Sequence, residues 1–299
     1  MRKRIVLIAG SLAVAVAAAA TAAAQQPRPS TKATATALPG CAPASLHLVS
    51  NGRLTIGTDN PAYPPWFAGG APKGSKWKIN DPSTGKGYES AVAYAIGKKL
   101  GFSRSAVKWT YVPFNKAFAP GSKPFDFDIN QISYTPARAK VVSFSNSYYD
   151  VNQAIVVNKG TKIASVRSIR GLAPYKLAAQ LGTTSYGFIT SRIKPSRKPA
   201  VYPSNAGAVL ALKNKQIDGL VVDLPTAFYV TAVQVPHSKI LGQFENRGRT
   251  TDRFGVVLAK GNSLTGCVNK AINSLRSAGT LKRLQRLWLA KATGAPILK

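Results

Sequence analysis

Apolar positions change their spacing several times along the chain, and each change marks an element. Arg53–Asp59 (RLTIGTD) alternates apolar and polar residues as a strand does. In GYESAVAYAIGKKLG, Tyr88, Val92, Ile96 and Leu100 fall at helical spacing and stop at Gly101, so the two stretches predict a β-loop-α unit. VKWTYV, FDFDINQIS and QAIVVNK (Gln153 to Lys159) predict further strands, and YKLAAQLGTTSYGFI a strand that enters a helix through a polar turn. SNAGAVLALKNKQIDGLVVD predicts a Ser204-capped helix followed by a buried strand ending at Asp223. After the strand FGVVLAK, the positions Leu264, Val268, Ala271, Ile272 and Leu275 predict an amphipathic helix, with a second in TLKRLQRLWLAKA. Such alternation argues an α/β fold with mostly parallel sheets, whose ligands sit at the carboxyl ends of strands.

The N-terminus departs from this pattern. Arg2-Lys3-Arg4, the apolar run Ile5 to Ala20 and the small residues Ala22-Ala23-Ala24 predict an export signal over 1–24, and hence an extracytoplasmic protein; a retained anchor is the alternative. Residues 25–44, rich in Pro, Ser, Thr and Ala, predict a flexible tether. In an exported chain its two cysteines, Cys41 and Cys267, are expected to form a disulfide. LPGC at Leu38–Cys41 also matches a lipoprotein box, but it lies about 16 residues too far beyond the apolar run.

With 299 residues and 45% hydrophobic content the chain can bury a sizeable core. Its 41 Lys+Arg against 10 Asp+Glu suit an anionic partner, although spread without a run of five or six they predict a diffuse solvated surface. Enzyme signatures are scarce: His47 and His237 lack metal-site spacing, and no phosphate loop, G-x-S-x-G or S-x-x-K occurs. What remains is a set of polar residues at strand ends: Asp59, Ser133, Thr135, Arg138, Thr183, Thr184 and Asp223. Arg138 supplies a fork for a carboxylate, the hydroxyls and a helix start favour an anion, and the two acids suit an ammonium. Those are the two ends of a free amino acid.

The segments LTIGTDNPAYPPWF, GYESAVAYAIGKKLG, ISYTPARAKVVSFSNSYY, LGTTSYGF, IDGLVVDLPTAFYV, FGVVLAKGN and VNKAINSLRSAGTLKRLQRLW, in that order, resemble the polar amino-acid binding proteins of ABC importers. The resemblance runs from about Leu54 to Trp288 and implies a two-lobed type II periplasmic-binding fold, lobe 2 inserted into lobe 1. It implies that Arg138, with Ser133 and Thr183 or Thr184, holds the ligand's α-carboxylate. Asp223 and the carbonyl of Gln131 would take the ammonium, and Asp59, Tyr63 and Trp66 would meet the side chain. It departs from the family at Ala137, Ser143 and Asn146, where acids are common.

The expected division is lobe 1 over 45–157 and 256–299 and lobe 2 over 158–255, with AIVV and FGVV as hinge strands. The implied partners are an amino acid and a membrane permease, with a monomer expected, no cofactor and no nucleic acid. Among structural roles, Arg138 could instead pair with Asp126 or Asp128, Asp218 reads as a turn or strand cap, Glu89 as a helix cap, and Trp109, Phe114, Phe144 and Tyr148 as core. Three other classes compete with transport: a periplasmic dehydratase of prephenate-like substrates on the same fold, a sensor domain, and a basic polyanion binder whose affinity would collapse with salt.

Overall fold

The computed structural model describes residues 37–245, 252–290 and 294–299; the expected export signal and the first part of the tether lie outside them. In chain order the strands are β1 (Leu54–Thr58), β2 (Val107–Tyr111), β3 (Phe127–Asp128), β4 (Val142–Phe144), β5 (Tyr149–Asp150), β6 (Gln153–Asn158), β7 (Leu177–Gln180), β8 (Ala200–Tyr202), β9 (Gly219–Asp223), β10 (Ser238–Phe244), β11 (Arg253–Phe254) and β12 (Val257–Ala259). The helices are α1 (Tyr88–Lys99), α2 (Phe114–Ala117), α3 (Pro136–Ala139), α4 (Thr184–Phe188), α5 (Asn205–Lys213), α6 (Leu224–Tyr229), α7 (Leu264–Ser277) and α8 (Thr280–Leu289).

Two five-stranded sheets result, ordered β2-β1-β3-β12-β4 and β10-β6-β9-β7-β8. In the first, β1 runs parallel to β2 and β3, as a β-loop-α unit requires. Close approach of β1 and β3 needs Gly57, where a Cβ would stand 2.5 Å from Asp128 Oδ2. Tyr88, Val92, Ala93 and Ile96 bury one face of α1 in a core shared with Val268, Ile272 and Leu289 of α7 and α8. Burial on this scale, at roughly 25 cal/mol per Å² of apolar surface, makes these helices part of the first lobe although they follow the second in sequence.

The second sheet shows why its strands read as continuous apolar runs. Alternate residues of β6 go to opposite layers: Ala154 and Val156 pack with Ala208, Leu212 and Ala227 of α5 and α6, while Ile155 and Val157 pack with Leu177, Ile189 and Ile193. The continuation of α4 into a π-helical turn, Ile189–Ile193, forms part of that second layer.

Between the sheets the chain passes through β5 and β11, which pair antiparallel with Tyr149 opposite Phe254 and Asp150 opposite Arg253. The arrangement is two α/β lobes, the second inserted into the first. It corrects the expected hinge at AIVV: Gln153–Val157 of β6 pair with both β9 and β10 and are buried, so the boundary drawn at 157 falls inside a strand of the second sheet. The return connection runs through β11, Arg253–Phe254.

Both ends also depart from the expected boundaries. Leu38 N donates to Lys99 O at 3.0 Å and Cys41 is buried, so packed chain begins within the stretch read as tether. Cys41 is bonded to Cys267 of α7, with Cα atoms 5.6 Å apart. At the other end Gln243 N donates to Pro296 O at 2.7 Å, Leu298 N to Gln243 O at 2.9 Å, and the Leu298 side chain enters the second lobe's core. Residues 294–299 thus belong to the second lobe, against the assignment of 256–299 to the first. Among the described residues no helix is long and apolar enough to cross a membrane.

Candidate functional site

The carboxyl ends of β1, β7 and β9 converge on one cleft of about 430 Å³. Asp59, Tyr63, Gln131, Ser133, Arg138, Thr183, Thr184 and Asp223 all line it. Of the expected residues, Trp66 and Thr135 do not.

Arg138 stands on α3, a single turn capped by Thr135, whose Oγ1 accepts from Arg138 N at 3.1 Å. That cap aims the guanidinium between the lobes. Nη1 donates to Ser133 O at 2.5 Å, Nη2 to Gly182 O at 2.6 Å, and the flat group lies over the Phe118 ring with Cζ 4.1 Å from its centre. Arg138 is only 8% exposed, and burial lowers its pKa to about 10 while the negative fields of Asp252 and Asp223 oppose that shift. The alternative pairing with Asp126 is not made, because Asp126 accepts from Val49 N at 2.8 Å and Thr55 N at 2.6 Å. Two of the five N–H groups of a guanidinium are used on carbonyls, leaving donors for a ligand carboxylate.

Across the cleft Asp223 ends β9, in register with Gln153 of β6. Gln153 Nε2 donates to Asp223 Oδ1 at 2.7 Å and to Asp252 Oδ2 at 2.9 Å, and Ser185 Oγ donates to Gln153 Oε1 at 2.6 Å. The residue as a whole is half-buried but its carboxyl head is enclosed. Burial first, then the nearby Asp252 charge, pushes the Asp223 pKa well above the ordinary carboxylate range. An ammonium placed here would relieve both.

The two threonines separate in role. Thr183 caps α4: its Oγ1 accepts from Tyr186 N at 3.2 Å and donates to Gln180 O at 2.7 Å. Thr184 turns its hydroxyl to the cleft, donating to Asp252 Oδ2 at 2.9 Å and lying 3.2 Å from Ser133 Oγ of the other lobe.

Gln131 has φ of 49°, a left-handed backbone that costs energy in a non-glycine residue. Glu89 holds it, accepting from Gln131 N at 2.7 Å and from the Gln131 side chain and Tyr148 hydroxyl. Glu89 is therefore a buried brace under the cleft, correcting its expected role as a helix cap, and burial pushes its pKa up to about 7. Asp218 does cap a strand start, accepting from Lys176 N at 2.8 Å.

On the first-lobe side Asp59 accepts from Asn60 N at 2.7 Å, and burial raises its pKa against that bond. Tyr63 faces Tyr229 of α6 with ring centres 6.1 Å apart. Trp66 is 1% exposed and packs edge-on against Tyr88, Tyr149 and Phe254. It is core, because Phe67 N bonds Tyr63 O at 3.0 Å and the resulting turn carries the indole inward. Phe114 packs against the core cluster of Val112 and Phe125, as expected, and also lines the cleft. Asp252, Gln153 and Phe118 carry no local signal in the sequence, Asp252 lying just before the two-residue strand Arg253–Phe254, and the role of Glu89 is hidden by the 42 residues between it and Gln131.

Residues 54–291 match the model of the bacterial extracellular solute-binding proteins, family 3. Glutamine-binding protein GlnH of Bacillus subtilis is 26% identical over 216 residues, 71% of this chain and 76% of that protein. The arginine-binding extracellular protein ArtP of the same organism is 26% identical over 219 residues, 68% of this chain and 77% of its own length. Among solved structures, an ancestral arginine-binding protein bound to arginine superposes with a TM-score of 0.63 at 28% identity, covering 79% of this chain and 98% of that one.

Proposed function

Because this chain belongs to the bacterial extracellular solute-binding proteins, family 3, with their two-lobed type II periplasmic-binding fold, we propose that it captures a free amino acid between Arg138 and Asp223 and delivers it to an ABC-type permease. One observation carries the reading: a guanidinium with free donors and an enclosed carboxyl face the same cleft from opposite lobes. These are the complements of the two charged ends of a zwitterion, and a cleft of about 430 Å³ holds a ligand of that size. Relatives named for glutamine and arginine agree with it.

In this reading Arg138, Ser133 and Thr184 hold the α-carboxylate, with Thr183 shaping the helix start. Asp223 and the Gln131 carbonyl take the ammonium, and Asp59 and Tyr63 meet the side chain. Trp66 keeps no ligand contact. The protein works outside the membrane as a monomer, without cofactor and without turnover. Closure bends β5 and β11, with lobe 1 running to about residue 148 and resuming after 254.

The test is a thermal-shift screen of the exported chain against the amino acids, with prephenate-class acids assayed for turnover alongside. A ligand at 100 times its Kd adds ~2.7 kcal/mol of stability. Stabilisation by an α-amino acid and none by its amide is expected; turnover of a cyclohexadienyl acid, or no stabilisation by any amino acid, would overturn the reading.

A further inference from the structure

The cations that looked diffuse in sequence are gathered by the fold of the second lobe. Between Asp150 and Asp218 the chain holds eleven lysines and arginines and no acid. Strand direction decides where they stand. β7 runs parallel to β8 and β9, so all three begin at one end of the sheet, and β6, antiparallel to β9, finishes there, with Val157 opposite Gly219. β10 starts at that end too, Ser238 facing Asn158. The cleft residues Gln153, Thr183 and Asp223 lie at the other end.

Four of the five strand ends at the far pole bring exposed cations: Lys159 after β6, Lys176 before β7, Arg197 and Lys198 before β8, and Lys213 and Lys215 before β9. Hydrogen bonds bind these segments into one surface. Lys159 N donates to His237 O at 2.9 Å, Ser196 N to Ala173 O at 2.9 Å, and Asn158 Nδ2 to Leu212 O at 2.8 Å. The acid among them, Asp218, is turned to the Lys176 backbone. With strands about 4.8 Å apart, these four adjacent strand ends spread the charge over roughly 14 Å, a cap with one sign.

We propose that this pole is a docking surface for an extended polyanion of the cell envelope, a polymer of phosphodiester or uronate units. A single-sign field repels itself and gains most from a partner whose own counterions are released on contact. The choice of polymer over bilayer rests on the delivery reading: a cleft turned to a membrane permease leaves the opposite pole facing outward. Both cysteines of the chain being joined to each other, neither is free to carry lipid, and the pole supplies another means of retention.

Long-chain polyphosphate is the probe, titrated into the exported chain at several salt concentrations. Wild type should bind, with affinity falling by ~10²-fold or more from about 50 to 200 mM salt. Neutralising the six named cations to Gln should weaken binding by ~10-fold or more and flatten the salt dependence, while the amino-acid thermal shift stays unchanged. A control with Lys98, Lys99, Lys270, Lys282, Arg283 and Arg286 on α1, α7 and α8 changed to Gln should lose less than ~3-fold, if the pole and not net charge is responsible. Equal losses in the two variants would overturn the proposal. Tighter binding to phosphatidylglycerol vesicles than to polyphosphate, lost in the pole variant, would overturn the polymer assignment. The amino-acid screen is read separately, so failure of the delivery reading is distinguishable from failure of the pole to bind.

Discussion

Arg138 donates from Nη2 to the carbonyl of Gly182 at 2.6 Å, a bond from the first lobe to the second. The same side chain is thus expected both to grip the ligand and to hold the cleft shut. Phe118 beneath it fixes the plane of the guanidinium, and Ser133 O fixes its first edge.

Arg138→Ala should weaken amino-acid binding by ~30-fold or more, because the buried carboxylate loses its charged partner. Arg138→Lys should recover only part of this, since a point charge cannot replace a fork that touches both lobes. Amidating the α-carboxylate should cost wild type heavily and the Ala variant little, a coupling that calorimetry of the four combinations measures. Equal affinity of acid and amide for wild type would remove Arg138 from the carboxylate site.

Asp223 makes binding depend on pH. In the free protein burial and Asp252 raise its pKa, so above the ordinary carboxylate value of 3.8 it still retains protons. A bound ammonium favours the carboxylate, lowers the pKa and expels a proton. Affinity should therefore rise with pH across the window between 3.8 and the raised value, then level off. Calorimetry in two buffers of different ionisation enthalpy should detect proton release in wild type and none in Asp223→Asn; absence of release in wild type refutes the pairing.

Glu89 carries the same logic into stability. Its folded pKa of about 7 exceeds the ordinary 4.5, so between those values the folded state binds more protons than the unfolded one. Stability is then fully contributed below 4.5 and lost as pH rises towards 7, by up to ~3 kcal/mol. Asp128, buried with both carboxyl oxygens lacking a hydrogen-bond partner, titrates with the same sign. Glu89→Gln should flatten the decline in chemical-denaturation midpoint from pH about 5 to about 8; an unchanged slope would mean that Glu89 is ionised throughout.

How far these roles were legible depends on where each partner lies in the chain. Asp223 ends a strand, Arg138 lies on the short helix Pro136–Ala139 and Ser133 on the loop leading to it, positions that an α/β fold gathers at one edge. Glu89 and Gln131 are 42 residues apart, and Gln153 meets Asp252 from 99 residues away. Only the fold makes those pairs, and no local spacing announces them. The hinge was misplaced for a related reason: QAIVV is apolar at every position from Ala154 on, and nothing in it distinguishes a strand crossing between lobes from one central to the second sheet. The basic pole was hidden because its residues are scattered over 159–215 and meet only through parallel strand order.

Tyr63 and Trp66 looked alike in sequence, two aromatic residues among prolines, and the structure parts them. Trp66 Nε1 donates to Thr226 Oγ1 at 3.2 Å, reaching α6 of the second lobe from within the first lobe's core. Trp66→Ala should destabilise by ~3–5 kcal/mol as a core truncation. Trp66→Phe keeps most of the packing and loses that one bond, worth about 0.5–1.5 kcal/mol, so it should weaken every ligand by a similar factor and leave their ranking unchanged. Tyr63 lies on the cleft wall, and Tyr63→Ala should alter the ranking among amino acids with little change in Tm. A thermal-shift profile over the amino acids reads both effects at once. Reordering by Trp66→Phe, with a profile untouched by Tyr63→Ala, would reverse the assignment of wall and core.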